Sequence, residues 1–380
     1  MTYSVYQHWD PLKVCIVGRS YPPEFYSWIT IPHVRSLFEK IAIETEEDYQ
    51  NIIKKLNEFG VKVLRPEVST GVLLNGKYPA PPMTPRDYTL MVGDTFYHSI
   101  PDLKFVYNRV RDPQWPDCNN INDWYTLPQW IRDECINVHK ISLDKFISNN
   151  SFSSIIEHIS NQGNNTVEMA KYANTVNGAM VSRIGKDLYF GTLDYTENIV
   201  PTQQAINQLF TKTRNHIVNT GGHSDGTYCP VCPGLIISLK DVPTYADTFP
   251  GWEVVYLPGQ SWAKVAPFLE LKQKNSGKWW IPGFEHDHQV IDVVEQWLGH
   301  WTGYVEETVF DVNMLIIDPK NVMVFNYNKQ VFDALDRYGI TPHIVPFRHR
   351  YFWDGGIHCV TSDLHREGTM QDYFPERTNV

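Results

Sequence analysis

Apolar residues recur along this 380-residue chain in short blocks rather than long runs. Leu12 to Arg19 (LKVCIVGR) is almost continuously apolar up to Gly18, the pattern of a buried strand. Between Thr45 and Phe59 the spacing changes. Tyr49, Ile52, Ile53, Leu56 and Phe59 fall on one helical face, Gly60 closes the helix, and Val61 to Leu64 reads as a strand. Leu90 to Val92 and Phe96 to His98 flank Gly93-Asp94 as a hairpin. Strands are predicted at Leu188 to Gly191, Leu235 to Leu239 and Val254 to Leu257, with a helix at Gln203 to Thr211. Asn313 to Ile317 pairs with Val322 to Phe325 across Asp318-Pro319-Lys320-Asn321. Lys329 to Tyr338 is a helix closed by Gly339, followed by a strand at His343 to Phe347. Short strand, helix and short strand recur without any repeat of sequence, which fits an α/β or α+β class.

Trp262 to Tyr304 breaks this rhythm. It holds Trp262, Trp279, Trp280, Trp297 and Trp301, and Ile291, Val294, Trp297, Leu298 and Trp301 lie at helical spacing. It reads as a packed peripheral insertion at about residues 262–304; an interface or a lid over a pocket is the alternative. No Ser/Gly run, charge block or low-complexity tract marks a linker, so a single domain over residues 1–380 is expected. With 42% hydrophobic residues the chain can bury a large core. The net charge of −10 is ordinary solubility, though it also suits a cationic small substrate. Lys and Arg form no stripe, which argues against a nucleic-acid partner. No run of 18 apolar residues offers a membrane span. Met1 to Trp9 carries neither a signal-peptide core nor an Arg-rich transit pattern, so a cytoplasmic location is expected. Six cysteines make no disulfide framework. No glycine-rich phosphate loop follows any strand.

Three stretches could carry chemistry. In Asp354-Gly355-Gly356-Ile357-His358-Cys359-Val360-Thr361, two glycines precede a Cys and could set its thiol at the mouth of a pocket; the same stretch also reads as a buried Cys after a turn. In Gly221-Gly222-His223-Ser224-Asp225-Gly226, an extended backbone would put His223 and Asp225 on one side, a general base beside a carboxylate. A turn capped by the Asp is the other reading. Pro85-Arg86-Asp87 sets an Asp at a strand entrance, to bind a cation or to cap a turn. Cys229-Pro230-Val231-Cys232 has redox or zinc spacing but lacks a second Cys pair, and His286-Asp287-His288 lacks a partner motif, so no metal is expected at either.

Taken in order, these motifs resemble the amidinotransferase family, that of the glycine and inosamine-phosphate amidinotransferases. Trp9-Asp10-Pro11-Leu12 with Val17-Gly18-Arg19 is similar to its opening strand. Pro85-Arg86-Asp87 with Val92-Gly93 is similar to its first guanidinium-binding segment, and His223-Ser224-Asp225 with Gly234 to its histidine motif. Asn313 to Val324 is similar to a core hairpin, and Gly355 to Cys359 with Asp363-Leu364, Arg366 and Gly368-Thr369 to its cysteine motif. The resemblance implies a pentein fold, a five-bladed α/β-propeller with pseudo-fivefold symmetry and the site in its central channel. It implies Cys359 as nucleophile and His223 as acid and then base. Asp87 and Asp225 would hold the guanidinium, with Arg86 in the same substrate-binding segment. Amidino transfer from an arginine-like donor to an amine acceptor would pass through an amidino-cysteine, without a cofactor; a homodimer is the assembly to test.

Two departures stand out. The family's Asp that bonds the catalytic His falls on Asn177, which can orient an imidazole but cannot stabilise imidazolium by charge. The family's carboxylate-binding Arg falls on Val242, with Lys240 nearby, and its small-residue pair falls on Glu306-Glu307. A carboxylate at Glu307 would favour a second cationic group on the acceptor, as in a diamine. Two further outcomes remain: a guanidino hydrolase of deiminase type, and a catalytically impaired guanidino-binding protein.

Overall fold

The computed structural model describes residues 2–68, 81–99, 151–169, 176–192, 199–220, 222–239, 244–257, 281, 283–284, 286–294, 298 and 311–377. Its described elements follow one repeating plan: a two-stranded hairpin, a helix, then a third strand that returns parallel to the second. Parallel strands need a crossover, and the helix supplies it.

In the first sheet, β1 (Leu12–Val17) leads through α1 (Pro32–Glu58) to β2 (Lys62–Leu64), which pairs parallel with it. The helix begins thirteen residues before the predicted start, at Pro32 rather than Thr45. Pro is favourable in a first turn, where its missing N–H costs nothing. The earlier turns bury Val34, Phe38, Ile41 and Ala42 between charged residues that pair along the surface, Arg35 with Glu39 and Lys40 with Glu44. The second sheet joins β3 (Thr89–Val92) and β4 (Thr95–His98) in the expected hairpin, then passes through α2 (Ser153–Asn161) to β5 (Asn165–Glu168). The third contains β6 (Val181–Ile184), β7 (Asp187–Thr192), α3 (Ile199–Leu209) and β8 (Arg214–Asn219). The fourth contains β9 (Tyr228–Cys232), β10 (Leu235–Ser238), the single turn α4 (Tyr245–Thr248) and β11 (Glu253–Tyr256).

The short helix α5 (His288–Val293) lies outside this plan. The fifth sheet contains β12 (Leu315–Asp318), β13 (Asn321–Val324), α6 (Lys329–Arg337) and β14 (Thr341–Ile344). Finally β15 (Thr361–Arg366) runs antiparallel to β1 and completes the first sheet. Among the described residues the result is α/β, with five three-stranded sheets, each holding one antiparallel and one parallel pair.

The inner strands are buried along their length, as in β6, β9 and β10, whereas β2, β5, β11 and β14 are partly exposed. One large cluster packs α1 against the first and fifth sheets, and Val290, Val293, Val294 and Leu298 join it. That part of the Trp-rich segment therefore contributes to the core; Trp262, Trp279, Trp280, Trp297 and Trp301 lie outside the described residues. Asp287 caps α5 through the Gln289 and Val290 amides and meets His33 at 3.1 Å, so the His286-Asp287-His288 run contains a helix cap. Among the described residues no helix is long and apolar enough to cross a membrane.

Candidate active site

The loop before β15 carries Cys359, and one side chain from another sheet holds it. Asn313, just before β12, accepts from the His358 and Cys359 amides through Oδ1, at 2.8 and 3.3 Å. Its Nδ2 donates to Cys359 Sγ at 3.1 Å and to the Asp225 carbonyl at 3.2 Å. This approach requires a glycine at 356: a Cβ there would stand 2.2 Å from Asn313 Oδ1. The thiol itself is fully buried.

His223 and Asp225 do not lie on a strand, which corrects the extended reading. His223 precedes a single 3-10 turn, Ser224–Gly226, at φ −58° and ψ 135°, and Asp225 lies within the turn. A strand would have aimed both side chains alike; the turn separates their partners. Asp225 Oδ2 meets His358 Nδ1 at 2.8 Å and Cys359 Sγ at 3.6 Å. His223 Nδ1 lies 3.8 Å from Asp87 Oδ1. The Asp87 and His223 side chains are about a quarter exposed (24% and 25%), so the pair reaches solvent while Asp225 and Cys359 lie deeper.

Asp87 ends the 3-10 turn Pro85–Asp87, and Arg86 ties that turn to the cysteine loop. The Arg86 amide donates to the Cys359 carbonyl at 3.4 Å, and Nε donates to the carbonyls of His358 and Thr361. Its guanidinium is 1% exposed and pairs with Asp363 at 2.9 Å. Asn177 stands beside both turns. Its Oδ1 accepts from the Ala179 and Met180 amides at 3.0 and 2.9 Å. Gly178 donates to the Arg86 carbonyl, and Asp225 donates to that of Ala179. Asp87 with His223 and Asp225 with Cys359 thus form two pairs, tied together through the backbones of Arg86, Gly178 and Ala179, next to Asn177. Glu306, Glu307, Lys240 and Val242 lie outside the described residues.

Behind the loop lies a buried charge cluster. Asp363, on β15, binds Arg86, Arg183 and Arg366 at 2.9, 2.7 and 2.6 Å, and all four side chains are 1% exposed. Burial alone would raise the Asp363 pKa, but the three guanidinium groups outweigh it and hold the carboxyl well below its ordinary range. Burial, reinforced by these arginines, pushes His8 and His358 well below the ordinary histidine value, so both are neutral. Cys229 and Cys232 are buried in β9, and burial pushes their thiols up to about 12 and about 11, which makes them poor nucleophiles and ligands. Among the described residues no three His, Cys, Asp or Glu side chains group as metal ligands would.

No family model matches the chain. It is 22% identical over 407 aligned positions to the mitochondrial glycine amidinotransferase of Xenopus laevis, covering 97% of this chain and 84% of that protein. To the Gallus gallus protein of the same name it is 24% identical over 406 positions, with the same coverage. Two solved structures superpose over 98% of the chain, each at 17% identity. An amidinotransferase of the saxitoxin biosynthetic pathway from Microseira wollei has a TM-score of 0.62 over 100% of its own length. The inosamine-phosphate amidinotransferase of Streptomyces griseus has 0.61 over 99%. The chain is thus similar, at low identity, to the amidinotransferases. It shares the fold of the two solved enzymes, and in it Cys359 meets Asp225 while His223 meets Asp87. Asn313 and His358 fell within the motifs read from the sequence but had no role there. Nothing local marks them: Asn313 is 46 positions from Cys359, and His358 finds Asp225 only in the folded chain.

Proposed function

We propose that this protein transfers an amidino group from a guanidino donor to an amine acceptor, with Cys359 as nucleophile in a site ringed by the five sheets. The observation that carries the reading is the contact between Cys359 and Asp225, beside the pair of Asp87 and His223, in a relative of the amidinotransferases. Asp87 and Asp225 offer carboxylates for charge-assisted hydrogen bonds to a planar guanidinium, presenting its carbon to Sγ. The thiolate adds to that carbon. The C–N bond then breaks with its electron pair going to the departing nitrogen, and protonated His223 supplies the proton that makes it a neutral amine. An amidino-cysteine remains. The acceptor amine attacks it, neutral His223 removes the amine's proton, and the C–S bond breaks to return the thiolate. The scheme uses no metal or organic cofactor. Arg86, turned inward to Asp363, supports the cysteine loop in this reading instead of binding substrate.

Incubation with arginine and a panel of amines, glycine and diamines included, tests the reading by mass spectrometry. New guanidino compounds and a Cys359 peptide heavier by one amidino group are expected. Cys359→Ala and His223→Ala should each abolish turnover while keeping the fold, and full activity in Cys359→Ala would sink the proposal. Asn177 favours a second reading, a guanidino-binding protein without turnover, because an amide replaces the carboxylate expected near the histidine. Saturable arginine binding with no new product would select it.

A further inference from the structure

The amide of Asn313 has only one workable orientation. Two backbone N–H groups, from His358 and Cys359, point at Oδ1. Flipping the amide would set its NH2 group against both donors, so Nδ2 must face Cys359 Sγ, 3.1 Å away. An amide N–H next to sulfur can only donate, and a thiolate accepts far better than a thiol. Other groups pull in different directions. Asp225 Oδ2, 3.6 Å from the sulfur, disfavours a second negative charge there. His358 is neutral and committed to Asp225, and Arg86 reaches the Cys359 backbone with its amide and Asp363 with its charge. His223 and Asp87 face each other nearby.

We propose that Asn313 is a further catalytic residue, whose side-chain N–H holds the sulfur of Cys359 as the reacting anion while its carbonyl fixes the loop that carries it. The same Nδ2 also grips the Asp225 carbonyl, so one amide sets the spacing between nucleophile and guanidinium-binding carboxylate. When the C–S bond breaks and negative charge returns to sulfur, the donor is already in place and needs no reorganisation. The inference rests on Cys359 being the nucleophile and names the group that activates it.

Ultraviolet absorbance of the thiolate, titrated against pH and corrected with the matching Cys359→Ala blank, tests this without turnover. Asn313→Asp keeps an acceptor for both backbone amides and removes the donor; Asn313→Ala removes the donor without adding charge. Both should move the thiol titration upward by about one to two pH units, the size of a hydrogen bond to a charged group. A shift in Asn313→Asp with none in Asn313→Ala would mean that added charge alone is at work and would overturn the proposal, as would no shift in either. Should Asn313→Ala not fold, the isotope-labelled side-chain amide of Asn313 in the otherwise unchanged protein decides. Its signal must titrate together with the sulfur and cease to do so in Cys359→Ala; a flat signal overturns the inference. Retained turnover in Cys359→Ala would instead remove the proposed function, leaving the sulfur titration to be judged on its own.

Discussion

Replacing Gly356 by Ala adds one carbon where the fold has no room. The new Cβ would lie 2.2 Å from Asn313 Oδ1 and 2.4 Å from its Cγ, far inside contact distance. Asn313 must move, and Oδ1 then leaves the buried amides of His358 and Cys359. A buried N–H left unpaired costs about 1–3 kcal/mol, so losing both bonds should destabilise the protein by about 3 kcal/mol. At about 2.1 cal/mol/K per residue, a 380-residue chain unfolds with an entropy near 0.8 kcal/mol/K, so calorimetry should record a Tm lower by about 4 °C. The collision is specific to one partner. In an Asn313→Gly background all three atoms it would strike, Cβ at 2.7 Å included, are gone, and Gly356→Ala should then cost well under 1 kcal/mol. The double-mutant cycle therefore predicts a coupling of about 2 kcal/mol. A Gly356→Ala protein that melts with the unaltered one, or that loses the same amount in both backgrounds, refutes the packing argument.

Asn177→Asp should keep the fold, because a carboxylate accepts the Ala179 and Met180 amides as the present Oδ1 does. The added anion should raise the histidine pKa seen in the acid limb of kcat/KM; an unchanged pH profile removes Asn177 from the site. His8 makes stability depend on pH. Its pKa is depressed on folding, chiefly by burial and then by Arg183, so the unfolded chain takes up the proton first. Stability from this group is complete above the ordinary value of 6.5 and declines as pH falls below it, by about 1.4 kcal/mol per unit while the folded ring stays neutral. Urea unfolding at a series of pH values should show that slope reduced by about this amount in His8→Gln, and an identical slope would refute it.

Some helices and hairpins were readable because their apolar residues face one way, although α1 starts earlier than read and α2 went unread. The β12–β13 hairpin and α6 fell within two residues of their predicted edges. Among the strands that went unread, β6 and β15 carry polar residues that the fold satisfies internally. In β6, Ser182 and Arg183 are buried, and in β15 Asp363 and Arg366 pair with each other, so both stretches look like surface in sequence. Pro230 disguised β9, since proline is scarce inside strands. The site divides the same way. Cys359, His223, Asp87 and Asp225 stand in short marked motifs, and the structure pairs Cys359 with Asp225 and His223 with Asp87. Arg86 was expected among the substrate-binding residues; its buried partner Asp363 lies 277 positions away and has no local sign in sequence.

Thr361 faces Val17 across the β1–β15 pair, 344 positions further along the chain. A ribosome adding roughly 5–20 residues per second reaches Thr361 roughly 20 to 70 s after Val17. Until then one edge of β1 has no native neighbour, and an open edge invites pairing with other chains. The segment bearing Cys359 is also the one that closes this edge, so the thiol reaches its pocket only when the first sheet is finished. A nascent chain can complete four sheets and still hold no reactive centre. Protection against misassembly and the onset of chemistry are therefore timed by the same late strand.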